Sequence, residues 1–228
     1  MKNKYLILSE KSWHKKLYLS LSQKYVDKKW ILINNKEKFN LNKLKKLNPK
    51  KIFIPHWSYI IPSSIYNNYD CIVFHMTDLP YGRGGSPLQN LILRGFKKTK
   101  ISAFKVNQEI DAGDIYLKKE LSLDGTAEEI FIKASNLIYE MIIEIIEKKL
   151  APKPQKGEIT VFKRRTPQES NLEGIKNLET LYDNIRMLDA KGYPKAFIEN
   201  SNFKFEFNKG KYNKKKNLIV ANVRIYKK

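Results

Sequence analysis

The chain has three histidines, His14, His56 and His75, and His75 is the one placed for chemistry. It closes the apolar run Cys71-Ile-Val-Phe74 and precedes a loop holding Pro80, Gly82, Gly84 and Gly85. Ligands of open α/β sheets bind beyond the carboxyl ends of the strands. An imidazole there suits acid–base or electrophilic work; the alternative is a packing or capping histidine. Asp111 and Asp114 lie in Ile110-Asp-Ala-Gly-Asp-Ile115, where Gly113 permits a positive φ in a tight turn. They are either working carboxylates or an ordinary acidic hairpin turn. Gly82-Arg83-Gly84-Gly85 could cradle a phosphate through backbone N–H groups. Ser9, Trp13 and His14 follow the first apolar run and so share the carboxyl edge, unless they are a solvated loop. Arg164-Arg165 is a phosphate clamp or surface charge. The usual dinucleotide, NTP, hydrolase and zincin motifs are missing. A single cysteine, Cys71, excludes a Cys-rich zinc site and an intramolecular disulfide, and no metal is expected.

The elements that must position these residues alternate. Lys4–Leu8, Trp30–Ile33, Lys51–Pro55 and Cys71–Phe74 are short continuous apolar runs, as in strands buried on both faces. Helical patterns over Lys11–Tyr25 and Leu41–Leu47 separate them, which predicts parallel βαβ units. Ser86-Pro87 opens a further helix, with Ser86 as N-cap. Lys100–Val106 and Ile115–Leu121 are predicted strands flanking the Asp111 loop. A long helix starts at the capping box Thr126–Glu129 and runs to about Leu150. Ala151-Pro-Lys-Pro-Gln-Lys-Gly157 has the composition of a linker. A short strand over Glu158–Lys163, a helix over Asn177–Ala190 and strands at Ala196–Glu199, Phe203–Phe207 and Leu218–Tyr226 follow.

The 228 residues carry 44 basic and 23 acidic side chains, for a formal net charge of +21. That balance suits a polyanionic partner. Only six of the 44 are arginine, the residue that forks onto phosphate. The chain is also rich in Asn, Ile and Tyr, which share A/T-rich codons with Lys, so coding bias accounts for much of the charge. No apolar run reaches the roughly 20 residues of a membrane span, and the start lacks the pattern of a signal peptide. The cytoplasm is the expected compartment.

Two blocks together resemble a known family. His75-Met-Thr-Asp-Leu-Pro80 with Gly82-Arg-Gly-Gly-Ser-Pro-Leu-Gln89, and Glu109-Ile-Asp-Ala-Gly-Asp-Ile115, are similar to the two loop motifs of folate-dependent formyltransferases. Ile185–Phe197 resembles the segment that follows the core in methionyl-tRNA and sugar formyltransferases. The resemblance covers roughly residues 50 to 200. It implies an α/β, Rossmann-like formyltransferase core with a mostly parallel sheet over 1–155, and a small C-terminal α+β appendage over 156–228. It also implies formyl transfer from N10-formyltetrahydrofolate to an amine, with His75 and Asp111 catalytic. The implied folate contacts are Ile54, Trp57, Ser58, Tyr59, Ile60, Asn107, Ile110 and Asp111. Trp57 and Tyr59 pack on the ring or are core aromatics. The family's Asn two residues before the His is here Val73, which cannot donate to an oxyanion; Asn107, Gln89 or backbone N–H groups are the candidates to replace it.

The loop sequence resembles most the branch acting on UDP-linked 4-amino-4,6-dideoxy sugars for surface glycans. About 30 residues follow Ala196, too few for the OB barrel expected of tRNA-formylating relatives. The expectation is therefore a nucleotide-linked amino sugar and folate as partners, with Ser9, Trp13, Arg83, Gly84 and Gly85 on the diphosphate. Neither nucleic acid nor membrane is expected, and a homodimer is left open. The alternative is action on tRNA or another amine, or an RNA-binding basic protein on this scaffold.

Overall fold

The computed structural model describes residues 2–228. The chain forms two compact units, each assembled from separate stretches. The first is Met1–Gly84, Lys100–Leu121 and Ile132–Val161; the second is Gly85–Thr99, Ser122–Phe131 and Phe162–Lys228. In chain order the elements are β1 (Lys4–Ser9), α1 (His14–Lys24), β2 (Lys29–Ile33), α2 (Leu41–Leu47), β3 (Lys51–His56), α3 (Ser63–Tyr66), β4 (Cys71–His75) and β5 (Arg83–Gly84). There follow α4 (Pro87–Leu93), β6 (Lys98–Lys105), β7 (Ile115–Ser122), α5 (Ala127–Glu147), β8 (Val161–Phe162), α6 (Leu178–Arg186), β9 (Ala196–Glu199), β10 (Phe203–Asn213) and β11 (Leu218–Lys227).

The main sheet has the order β2-β1-β3-β4-β6-β7. Its first four strands are parallel, and β6 runs antiparallel to β4, with His75 opposite Ser102. Alternation along the strands explains the unbroken apolar runs. Leu6, Leu8, Ile52 and Ile54 point into one cluster with Ile33, Leu44, Ile61, Ile65 and Cys71. Tyr5, Trp30 and Phe53 stack on one another elsewhere in the core, with ring centroids 5.1 to 6.2 Å apart. Both faces are covered, so every position of β1 and β3 between the ends is apolar. Each such side chain contributes roughly 1.5–3 kcal/mol by leaving water. Burial, with Asp70 adding to it, pushes the Cys71 thiol up to about 12, so it stays an unreactive core group.

In the second unit, the Asn177 side chain accepts from Thr180 N at 2.8 Å and starts α6. The sheet β11-β10-β9 is antiparallel, with Phe205 paired to both Ile198 and Ile225. Arg186 is buried and held by three hydrogen bonds: it donates to Asp183 and to the Leu123 and Gly125 carbonyls at 2.6 to 2.8 Å. The Thr126–Glu129 capping box forms as expected.

Two local expectations change. Ser86 precedes α4 but makes no side-chain cap; it sits at φ 51°, and its hydroxyl accepts from Arg165 N instead. Gly113 is not a left-handed residue. Asp111 is (φ 53°), and Gly113 is needed because a Cβ there would lie 1.7 Å from Lys105 O. Among the described residues no helix is long and apolar enough to cross a membrane.

Candidate active site

His75 ends β4: the parallel pairing with β3 stops at Val73, the antiparallel pairing with β6 carries on to His75 opposite Ser102, and a loop follows. The residue is 8% exposed. Its Nε2 lies 2.8 Å from Gly82 O. A carbonyl only accepts, so Nε2 must carry the proton. In the neutral ring the lone pair is then on Nδ1, which faces Asp111 Oδ2 at 3.7 Å. The Asp111 carboxylate is held in turn by Gly84 N, which donates to Oδ2 at 2.8 Å. An oriented imidazole with a free Nδ1 beside a fixed carboxylate can take up a proton and stabilise the imidazolium that results.

The loop is clamped from beneath. Ser102, fully buried on β6, donates to Thr77 O at 2.7 Å and accepts from Leu79 N at 3.2 Å. Thr77 donates its hydroxyl to the same Gly82 oxygen at 3.2 Å. Lys118 reaches Asp78 at 2.5 Å and also bonds Leu79 O, while Lys100 reaches Asp78 at 2.9 Å. Burial pushes the Asp78 carboxyl up, but the two lysines outweigh it and hold it below its ordinary value. Sequence reasoning did not single out Thr77, Asp78, Ser102 or Lys118. A small polar residue inside an otherwise apolar strand, as at Ser102, was the available signal.

The other predicted residues are distributed as follows. Ile54 is buried in the core cluster. Trp57 is half-buried, with its ring edge-on to Phe39 at 5.9 Å and Tyr59 at 5.4 Å. Ser58, Tyr59 and Ile60 are exposed, Ile60 by 82%, and none of their N–H groups bonds another backbone group among the described residues. An open edge of uncommitted backbone donors and acceptors beside aromatic surface fits the flat, polar-rimmed ring of a folate. Asn107 and Ile110 are exposed on the loop that carries Asp111. Asn107 accepts from Glu109 N through its side-chain oxygen. Gln89 is committed to Met187 O at 3.0 Å and is not available as an oxyanion donor. Val73 packs against the apolar core cluster, as its side chain requires.

The glycine loop is not an open phosphate cradle. Arg83 N donates to Thr160 O, Gly84 N to Asp111 and Gly85 N to Phe162 O. Gly85 is glycine because a Cβ would meet Arg164 Cβ at 2.5 Å. Ser9 is buried, its Oγ 2.7 Å from His14 Nδ1, and Trp13 is half-buried with its ring edge-on to His14 and His56. Among the described residues no group of three or more His, Cys, Asp or Glu side chains is placed to hold a metal ion.

The buried His14 gives a pH prediction. Burial, then His56 and Lys11, lowers it from 6.5 to about 3. The unfolded chain therefore binds a proton below pH 6.5 that the folded chain refuses until about pH 3. Stability should fall as pH drops through that window, by about 5 kcal/mol at its foot. Melting temperatures measured across it should show the fall, and a His14→Gln variant should show less of it.

Comparisons with known proteins place the chain in a family. Residues 9–145 match the family model described as formyl transferase, and residues 167–226 match that of the methionyl-tRNA formyltransferase C-terminal domain. The methionyl-tRNA formyltransferase of Thermodesulfovibrio yellowstonii is 30% identical over 154 residues, covering 64% of this chain and 50% of that protein. A solved structure titled methionyl-tRNA formyltransferase from Clostridium thermocellum is 47% identical with a TM-score of 0.96, covering 99% of this chain and 100% of that one. HypX from Aquifex aeolicus, solved in complex with tetrahydrofolic acid, is 16% identical with a TM-score of 0.75 over 90% of this chain and 37% of that one; it shows the fold alone. The chain belongs to the formyl transferase family. It spans about half the length of the T. yellowstonii relative.

These findings overturn the amino-sugar expectation. The relatives reported at 30% and 47% identity both carry the name methionyl-tRNA formyltransferase, and the C-terminal match belongs to that group. The UDP-sugar partner, the surface-glycan role and the exclusion of nucleic acid fall with it. Both the loop likeness to the sugar branch and the expectation of an OB barrel after Ala196 give way. The C-terminal match instead begins at residue 167 and takes in α6 and the three strands β9–β11.

Proposed function

We propose that this chain transfers a formyl group from N10-formyltetrahydrofolate to the amino group of methionyl-tRNA. When bound, the folate supplies a formyl carbon open to attack. The new N–C bond forms as the N10–C bond breaks; the attacking amine must lose a proton, and N10 must gain one. His75 Nδ1 is the group oriented to carry that proton, with Asp111 offsetting the positive charge on the ring. Val73 supplies no hydrogen bond to the formyl oxygen, so charge developing there relies on other donors.

The observation that carries the choice of amine is the 47% identity to the C. thermocellum protein along 99% of this chain. The +21 charge suits a polyanionic substrate. Binding supplies a direct test. Methionyl-tRNA should bind with an affinity that falls steeply as salt rises. Salt-insensitive binding, or none at low salt, would count against the reading.

A further inference from the structure

One side chain from the segment with linker composition is built into the site. Gln155 donates from Nε2 to Asp111 O at 2.8 Å and to Gly113 O at 2.9 Å. Its Oε1 accepts from Arg83 Nη2 at 2.8 Å and Nε at 3.2 Å. All four bonds run to the two loops that meet beside His75. The neighbouring Lys153 pairs with Ile115 N and O at 2.7 and 2.9 Å, so the segment is tied to the start of β7 rather than hanging free.

The geometry points to Gln155 as a positioning residue for Asp111, an inference that rests on the formyl-transfer reading above. Asp111 is held at φ 53°, a left-handed conformation that aspartate tolerates better than most residues but that its surroundings must still select. Gln155 selects it by gripping the carbonyl of Asp111 and that of Gly113 two residues on. With the backbone so fixed, Oδ2 falls where Gly84 N can hold it and His75 Nδ1 can face it. The same carboxamide ties this grip to Arg83, the residue preceding Gly84. Only a neutral amide does both jobs, since one end must donate to carbonyls and the other must accept from a guanidinium.

Two variants test this. Gln155→Glu keeps the acceptor for Arg83 but turns an oxygen towards two carbonyls. Gln155→Met keeps the length and removes both functions. Each should lower kcat on the order of 10²-fold with KM little changed, as a small misplacement of an acid–base group does. Independently of turnover, amide hydrogen exchange at Gly84 should accelerate in both, while Arg83 N, bonded to Thr160 O, keeps its protection in Gln155→Glu. A lower melting temperature with unchanged Gly84 exchange would make Gln155 a structural tie only and overturn the inference. So would wild-type kcat in both variants. If the wild-type chain formylates nothing, the exchange result still decides whether Gln155 positions Asp111, and the functional reading fails by itself.

Discussion

A His75→Gln enzyme should fold normally and lose formyl transfer by on the order of 10²- to 10⁴-fold, the range for removing a positioned acid–base group. Glutamine has similar reach and can still donate to Gly82 O, so the loop clamped by Thr77 and Ser102 has no reason to open. What it lacks is a ring nitrogen with a lone pair that can take up a proton and pass it on. The loss should therefore appear in kcat under saturating substrates, with tetrahydrofolate binding retained. Wild-type turnover in this variant would remove His75 from the mechanism.

Asp111→Asn should cost on the order of 10³-fold. A carboxylate 3.7 Å from a protonated ring stabilises it by about 4 kcal/mol at an effective dielectric near 20, and each 1.4 kcal/mol of barrier is roughly tenfold in rate. Asparagine tolerates the left-handed backbone at least as well as aspartate, and its oxygen can still accept from Gly84 N. Only the charge is removed, so melting temperature and Gly84 amide protection should be retained while kcat falls. A variant that loses protection at Gly84 along with activity would report a collapsed loop instead.

How much of this was legible in the sequence depends on where the signal is written. Strands β1 to β4 announce themselves because burial on both faces leaves no polar position to break the run. The Asp111–Gly113 turn was recognised, but for the wrong glycine property, since close approach to Lys105 O cannot be inferred from a turn pattern. Ser86 looked like an N-cap by type and position, yet its hydroxyl is claimed by Arg165, a residue far away in sequence. Gln155 was hidden by its neighbours: Pro-Lys-Pro-Gln-Lys-Gly has the composition of a linker, and composition is silent about which one side chain folds inward. The choice of amine is not written in the loop likeness or in the length after Ala196, because neither names a residue that touches the amine.

Formyl transfer is read directly by following label from N10-[14C]formyltetrahydrofolate onto purified methionyl-tRNA, with wild-type protein and the His75→Gln variant side by side. With wild-type protein, label should appear in the formylmethionine recovered after the tRNA ester is hydrolysed, and almost none should appear with the variant. Contradiction would be a wild-type protein that leaves methionyl-tRNA unlabelled, or a His75→Gln variant that labels it at the wild-type rate.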